Sequence, residues 1–136
     1  MAKYTKGKAV KLSANFKSTE MDCKGRGCCS STLVDTKLIQ HLQKIRNLFG
    51  KPVIINSGYR CSSHNRAVGG SSGSKHKQGA AADIVVKGVP PRKVAAYAET
   101  LGIKGIGLYD TFTHNDTRTK KALWYSHKQE RRSSFQ

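Results

Sequence analysis

The sequence predicts a single α+β domain built from a small antiparallel sheet flanked by helices. Helical and strand patterns are mixed along the chain without strict β-α-β alternation, which argues against a parallel sheet. A chain of 136 residues is the usual size of one domain. Its hydrophobic content of 37% and its mean hydropathy of −0.55 are typical of a folded globular protein.

The first elements are an N-terminal arm and a helix. Residues 1–17 are basic and weakly patterned, which predicts an arm laid over the domain. From Leu33, apolar residues recur at steps of three and four and predict a helix with one apolar stripe facing inward. The residues of that stripe are Leu38, Leu42, Ile45 and Phe49. Thr32 or Asp35 can cap the start of the helix, and Gly50 ends it.

The middle of the chain predicts two strands and a second helix. Residues 53–56 are short and β-branched, which indicates a buried strand. Residues 61–75 are rich in Ser, Gly and Asn and indicate a loop, or a short helix with a loop. Residues 80–86 predict another strand. The helix that follows has Pro90 and Pro91 at its start and is closed by Gly102.

The last elements are a hairpin and a basic tail. Residues 105–109 and 112–114 predict two strands joined by a two-residue turn. Residues 118–136 form a basic tail in which Trp124 and Tyr125 are the strong anchors. One domain, with an arm and a tail, therefore accounts for the whole chain.

The charge is strongly positive, since 25 Lys and Arg oppose 8 Asp and Glu and give a net charge of +17. Such a surface attracts polyanions, including nucleic acid, teichoic acid and anionic cell wall. The sequence contains no recognised nucleic-acid motif, so nucleic acid is not the favoured partner. We expect the basic surface to bind anionic cell-wall polymers and the protein to be a monomer.

The sequence bears on location as well. The basic start at Met1 lacks the apolar run of a secretory signal, and no segment approaches the roughly 18 apolar residues of a membrane span. We expect synthesis in the cytoplasm, with a separate pore-forming protein releasing the product if its substrate lies outside.

Four cysteines, Cys23, Cys28, Cys29 and Cys61, include a tight cluster of three. Neither their number nor the compartment demands disulfides. Their spacing is not a clean match to a zinc motif. Reduced thiols, a disulfide and a second metal site all stay open.

The strongest chemical feature joins residues 74–83 to residues 113–116. A catalytic zinc takes three protein ligands and keeps a fourth position for water. His76, Asp83 and His114 supply two imidazoles and one carboxylate, and Gly79 lets the backbone turn between the first two. Taken as spacing alone, the alternative is a solvated loop histidine and an aspartate at a strand end.

These motifs resemble the M15 family of zinc D-Ala-D-Ala carboxypeptidases and phage endolysin endopeptidases. The likeness spans roughly Leu12 to Arg118. Its motifs are Ser-x-His-x-x-Gly-x-Ala-x-Asp at residues 74–83, Ser-Gly-Tyr-Arg at residues 57–60 and Phe-Thr-His-x-Asp at residues 112–116. The resemblance implies a Hedgehog/DD-peptidase-like fold and one catalytic zinc ion, held by His76, Asp83 and His114.

The resemblance also implies a substrate site. Arg60 occupies a position similar to that of a substrate-binding arginine, and its forked guanidinium suits a carboxylate. Ser57 and Gln78 are further candidates for the substrate groove. Lone histidines such as His41, His64 and His127 are interpreted as structural.

The general base is the point at which the chain departs from the family pattern. Relatives place an acid three residues before the last ligand, or a histidine two before it, where this chain has Thr111 and Phe112. Asp110 and Asp116 are the remaining candidates. Asp116 has a second interpretation, as a group that orients a metal ligand.

The function expected from these features is zinc-dependent hydrolysis of a peptide bond in bacterial peptidoglycan, in a stem peptide or a cross-bridge. A phage endolysin would combine this activity with small size and the absence of a signal. The alternative is a non-catalytic module that binds cell wall or another polyanion. The bond that is cleaved does not follow from the sequence.

Overall fold

The computed structural model describes residues 1–125 and 130–136. The architecture is α+β, as the sequence predicts. Its helices are α1 (Thr36–Phe49), α2 (Ser62–Ala67) and α3 (Pro91–Thr100), and 3-10 turns occupy Ser18–Met21 and Lys75–Gln78. Its strands are β1 (Ala2–Thr5), β2 (Lys11–Ser13), β3 (Phe16–Lys17), β4 (Ser31–Val34), β5 (Val53–Ser57), β6 (Ala81–Val86), β7 (Gly105–Leu108), β8 (Thr113–Asp116), β9 (Ala122–Tyr125) and β10 (Glu130–Arg132).

The main sheet, counted over the described residues, has six strands in the order β10-β9-β7-β8-β6-β5. Most neighbours are antiparallel, as predicted, but β7 and β9 are parallel. The prediction of an antiparallel sheet was therefore wrong at this pair. After β8 the chain passes to the far side of β7 before it forms β9, so that β9 runs in the same direction as β7.

Helix α1 starts later than the sequence pattern indicates, because Leu33 belongs to strand β4. Asp35 is the N-cap, and its side chain accepts a hydrogen bond from the backbone N–H of Lys37. Gly50 ends the helix in the left-handed conformation, with φ 63°. Local capping chemistry thus sets both ends of the helix.

The predicted N-terminal arm contains β1, which pairs with β4, and β2, which pairs with β3. Helices α1 and α3 pack against the main sheet and against each other. Apolar side chains from both helices and from the sheet form one buried core, which includes Leu38, Leu42, Ile45, Ile84, Val86, Val94, Ala98 and Ile106.

This packing leaves the opposite side of strands β6, β7 and β8 free to carry polar side chains.

None of the helices in the described part of the chain combines the length and the apolar character that a bilayer crossing requires.

Candidate metal centre

Three neighbouring elements place the predicted ligands. His76 lies in the second 3-10 turn, where its backbone N–H donates to the Ser74 hydroxyl. Asp83 lies in β6 and His114 in β8, and these two residues are directly opposite each other in the strand register.

Gly79 ends the turn that carries His76. Its φ of +69° lies in the left-handed region, and a Cβ there would meet the backbone of Leu33. Its carbonyl accepts a hydrogen bond from the backbone N–H of Asp35, at 2.9 Å. A residue with a side chain is excluded at this turn on both conformational and steric grounds, so glycine fixes the approach of His76 to Asp83.

The three side chains converge on one point. Asp83 Oδ1 lies 3.2 Å from His76 Nε2 and 3.1 Å from His114 Nδ1. All three donor atoms are within 4.8 Å of one another, and among the described residues no fourth His, Cys, Asp or Glu joins the group. His76 is 3% exposed, Asp83 is 8% exposed and His114 is 9% exposed.

Each of the two histidine rings makes a hydrogen bond on the side away from Asp83. That hydrogen bond selects the ring nitrogen that faces the Asp83 carboxylate. His76 Nδ1 lies 2.7 Å from the Gly58 carbonyl oxygen, which only accepts, so Nδ1 donates and Nε2 keeps its lone pair. His114 Nε2 lies 2.8 Å from Asp116 Oδ2. Its Nδ1 therefore faces Asp83, in the arrangement by which metal-binding histidines are commonly oriented.

Asp116 is a buried carboxylate with two charged neighbours. It has no exposed surface, and it accepts from His114 and from both Nε and Nη2 of Arg118, at 2.8 and 2.7 Å. Burial alone would raise the pKa of Asp116, but the hydrogen bonds from His114 and Arg118 outweigh it and hold the pKa well below its usual range. Asp116 is thus placed to orient His114.

The pKa values of Asp83 and His114 shift in opposite directions, and each shift favours the charged form of its group. Burial acts to raise the pKa of Asp83, yet the contacts of its carboxylate with the His114 and His76 rings hold that pKa well below its usual range. Burial acts to lower the pKa of His114, and the neighbouring carboxylates of Asp116 and Asp83 outweigh this and raise it. Both carboxylates are consequently ionised.

The donor set fits a catalytic zinc ion. Zinc in such sites takes three ligands from His, Asp, Glu or Cys and leaves a position for water or substrate. Here two imidazole nitrogens with fixed tautomers and one carboxylate oxygen converge. They border a cleft of about 390 Å³, whose other lining residues include Arg60, Lys75, Tyr109, Phe112, Arg118 and Trp124.

Arg60 is the predicted substrate residue that lines this cleft. Its Nη2 lies 3.4 Å from Asp83 Oδ2. Its Nε donates to the Ser57 hydroxyl at 3.1 Å and its Nη1 to Asn65 Oδ1 at 3.3 Å. These contacts hold the guanidinium at the mouth of the cleft, with 16% of its side chain exposed.

The other predicted residues lie outside the group of three ligands. Ser57 is opposite Asp83 in the strand register and accepts a hydrogen bond from Arg60. Gln78 is exposed and lines a second cleft of about 640 Å³, which shares Lys75 and Arg118 with the first. Asp110 is exposed in the turn between β7 and β8, next to the cleft residue Tyr109.

Two residues that line the cleft were missed by the sequence reasoning. Arg118 was assigned to the basic tail, and Trp124 was interpreted as an anchor of that tail. The Trp124 ring lies 5.2 Å from the His114 ring, and the guanidinium carbon of Arg118 lies 5.1 Å from the Trp124 ring. The spacing Asp116-x-Arg118 was the available signal, because a salt bridge at that spacing positions an arginine beside a strand end.

Of the three histidines interpreted as structural, His41 is buried on α1 and His64 is half-buried on α2. Among the described residues, neither of them joins the group formed by His76, Asp83 and His114. His127 lies outside the described residues.

Comparison with known proteins adds one finding. A family model described as Peptidase M15 matches residues 14–116. The matched segment contains the three converging side chains, Arg60 and Asp116. No curated protein gives a significant match.

Proposed function

Because the chain belongs to the peptidase M15 family and that family consists of metallopeptidases, we propose that it hydrolyses a peptide bond in bacterial peptidoglycan. The observation that carries the proposal is the convergence of His76, Asp83 and His114 at a cleft, with no fourth described ligand. A closed structural site would take four protein ligands. We also propose that the α+β fold is of the Hedgehog/DD-peptidase type.

The chain's own residues would hold the ion in a defined way. His76 Nε2, Asp83 and His114 Nδ1 are the proposed ligands, with Gly58 and Asp116 fixing the two rings. Zinc in such a site supplies Lewis-acid activation of a carbonyl group and of water. Trp124 packs against the His114 ring and shields it on that side.

Arg60 is the proposed substrate anchor. An arginine presents five N–H donors in a planar fork, which matches a carboxylate. Ser57 and Asn65 hold the Arg60 side chain at the cleft. Stem peptides carry free carboxylates, so one of them can pair with Arg60 while the peptide bond lies over the ligands.

Proton transfer is assigned to Asp110. Asp116 is saturated by His114 and Arg118 and has no exposed surface, so it has no path to a substrate. Asp110 is exposed and follows Tyr109, which lines the cleft, directly in the sequence. A carboxylate in that place can accept a proton and return it to the leaving amine.

The substrate class is supported by the charge. The net charge of +17 favours a polyanionic environment such as a cell wall with anionic polymers. A lytic enzyme of phage type would meet that environment, and either a carboxypeptidase or an endopeptidase activity is compatible with the cleft.

The test is clearance of a suspension of purified cell walls by the protein, with and without a chelator. We expect clearance to stop in excess chelator and to return with zinc. His76→Ala should abolish it, whereas Lys77→Ala in the same turn should retain it. Full activity in excess chelator would contradict the proposal.

The role of Arg60 is tested separately. We expect Arg60→Ala to raise KM for stem peptides much more than Arg66→Ala, which removes an exposed arginine from α2. Mass spectrometry of the released peptides then identifies the bond cleaved.

A non-catalytic module that binds the wall is the second candidate, favoured only by the charge. Co-sedimentation with cell walls separates the two. If wild type and His76→Ala bind equally and neither releases peptides, the binding module is the correct function.

A further inference from the structure

All four cysteines of the chain meet at one place away from the cleft. Cys23, Cys28 and Cys29 come from the loop between the first 3-10 turn and β4, and Cys61 immediately precedes α2. Their sulfur atoms all lie within 4.8 Å of one another. Residues that are up to 38 positions apart in sequence thus form one compact group.

Three distances between the sulfurs match the edge of a tetrahedron around one ion, and a fourth is shorter. With zinc–sulfur bonds of about 2.3 Å, the edge of such a tetrahedron is about 3.8 Å. Cys23 Sγ lies 3.8 Å from Cys28 Sγ and 3.9 Å from Cys61 Sγ. Cys28 Sγ lies 3.9 Å from Cys29 Sγ and 3.1 Å from Cys61 Sγ.

We infer that Cys23, Cys28, Cys29 and Cys61 together hold a structural zinc ion, separate from the proposed catalytic one. Four thiolates complete the coordination of zinc and leave no position for water, which is the mark of a structural site. Binding would release the thiol protons to solvent. Four equivalent sulfur donors around one point favour one shared ion over two disulfide pairs.

The surroundings of the sulfurs suit a group with excess negative charge. Lys6 Nζ lies 3.8 Å from Cys29 Sγ and donates to the Gly25 carbonyl at 2.8 Å. The backbone N–H of His64 donates to Cys61 Sγ at 3.4 Å. Lys24 and Arg26 lie in the same loop. Positive charge and N–H donors of this kind stabilise thiolates.

The loop is also shaped around the sulfurs. A Cβ at Gly25 would lie 2.6 Å from Cys28 Sγ, so the backbone passes too close for a side chain. Gly27 has a φ of +64°, which turns the chain just before Cys28. Both glycines fall between Cys23 and Cys28 and allow the loop to fold back on itself.

The inferred ion has a role in building the cleft. Cys61 follows Arg60 directly, and the backbone N–H of Tyr59 donates to the Met21 carbonyl at 2.8 Å. The loop and the segment that carries Gly58 and Arg60 are therefore packed together. A zinc ion joining Cys61 to the loop would fix that segment in place.

The experiment uses the full-length chain carrying His76→Ala and His114→Ala, which removes two of the three catalytic ligands. Protein purified under reducing conditions and loaded with zinc is analysed for bound metal after gel filtration. We expect one zinc ion per chain in this variant and two in wild type. Addition of a mercurial reagent should release the remaining ion, because it reacts with the thiolates.

Loading the same variant with cobalt gives a second measurement that does not depend on activity. We expect the thiolate-to-cobalt charge-transfer band and the strong visible bands of tetrahedral coordination. Cys28→Ser and Cys61→Ser should lose them, whereas the exposed loop variant Ser30→Ala should keep them. If the cysteine variants fail to fold, the spectrum of the variant with intact cysteines decides the question.

Two results would overturn the inference. One is a double variant that retains no zinc and gives no cobalt–thiolate spectrum. The other is an intact mass under non-reducing conditions that shows disulfides in protein purified without oxidant. Loss of wall clearance with thiolate-bound zinc still present would count against the proposed function alone.

Discussion

Asp116 lies behind the metal centre, where its carboxylate joins His114 to Arg118. Both contacts are short, at 2.8 Å to the ring nitrogen and 2.7 Å to the guanidinium. The carboxylate holds one imidazole nitrogen and so decides which nitrogen is left for a metal. In the proposed mechanism Asp116 acts through His114.

We expect Asp116→Asn to weaken zinc binding about 10- to 100-fold, which is the usual effect of losing such an orienting group. Competition with a chromophoric chelator measures the affinity. Asp110→Asn is the matched control, since it makes the same change on an exposed turn. It should leave zinc affinity unchanged and lower kcat, and the reverse pattern would exchange the roles assigned to the two residues.

The sequence predicted which ligand candidates would come together, because two strands and one glycine turn fix their relative positions. It did not distinguish the roles of Asp110 and Asp116. That distinction depends on burial and on Arg118, whose contact follows from the path of the chain after β8. Local spacing contains no information on that path.

Strand β7 presents glycine at the two positions that face the site. A Cβ at Gly105 would collide with the Asp116 carboxylate, and one at Gly107 would lie 2.6 Å from the Trp124 ring. Both side chains can approach the sheet only because these positions lack a side chain. The strand thereby sets the depth at which Asp116 and Trp124 lie.

Gly107→Ala is expected to lower the free energy of unfolding by about 1–3 kcal/mol, because the added methyl group overpacks a filled space. It should also change the fluorescence of Trp124, the single tryptophan of the chain. Gly73→Ala is the control, since its nearest neighbour would lie at 3.9 Å. A Gly107→Ala protein with native stability and emission would contradict this account.

Helix α3 is connected to the end of the chain through Glu99. Its carboxylate accepts from the Phe135 backbone N–H at 2.7 Å, from the Ser134 hydroxyl at 3.0 Å and from Lys121 Nζ at 3.3 Å. Burial would raise the pKa of Glu99, but these hydrogen bonds outweigh it and lower the pKa. The ionised form is therefore favoured by folding.

A lowered folded-state pKa means that the stabilisation is present above the unfolded-state pKa and is lost as pH falls through the folded-state value. We expect Glu99→Gln to cost about 1 kcal/mol at pH 7, the typical net contribution of one hydrogen bond. The difference from wild type should shrink under acid conditions. Urea unfolding at pH 7 and at pH 3 measures the free energy of unfolding of both proteins. A difference between wild type and Glu99→Gln that does not depend on pH would refute the stabilising role of the ionised Glu99 carboxylate.

Helices α1 and α3 and strands β5 to β8 were predictable because caps, turns and periodicity are local signals. Strand β9 was not predictable. It pairs in parallel with β7, and nothing in the sequences of the two segments indicates that they pair. For the same reason residues 2–5 were interpreted as part of an arm, although they pair with β4.

The whole molecule has a strong positive charge, and its surface includes the second cleft with Lys75, Arg118, Lys120 and Lys121. A net charge of +17 attracts anionic polymers over a range set by the ionic strength. In the proposed function the charge and the ligand-bearing cleft serve separate steps, since the charge promotes association and the ligands serve the chemistry.

We expect the rate of wall clearance to fall several-fold as salt rises from about 0.05 to 0.5 M, because the screening length shortens to a few ångströms. Turnover of a short uncharged peptide should be nearly insensitive to the same change. Equal salt dependence for both substrates would remove surface charge from the explanation.

The direct opposition of Asp83 and His114 across β6 and β8 has a consequence for how the enzyme acquires its metal. Backbone pairing in the interior of the sheet sets the spacing of these two donors, so two of the three proposed ligands are in place before an ion arrives. Activation of the apoenzyme then requires no refolding. A chain that lost only the catalytic ion would therefore stay folded and idle, and resupply of zinc would switch it on as fast as metal can be delivered.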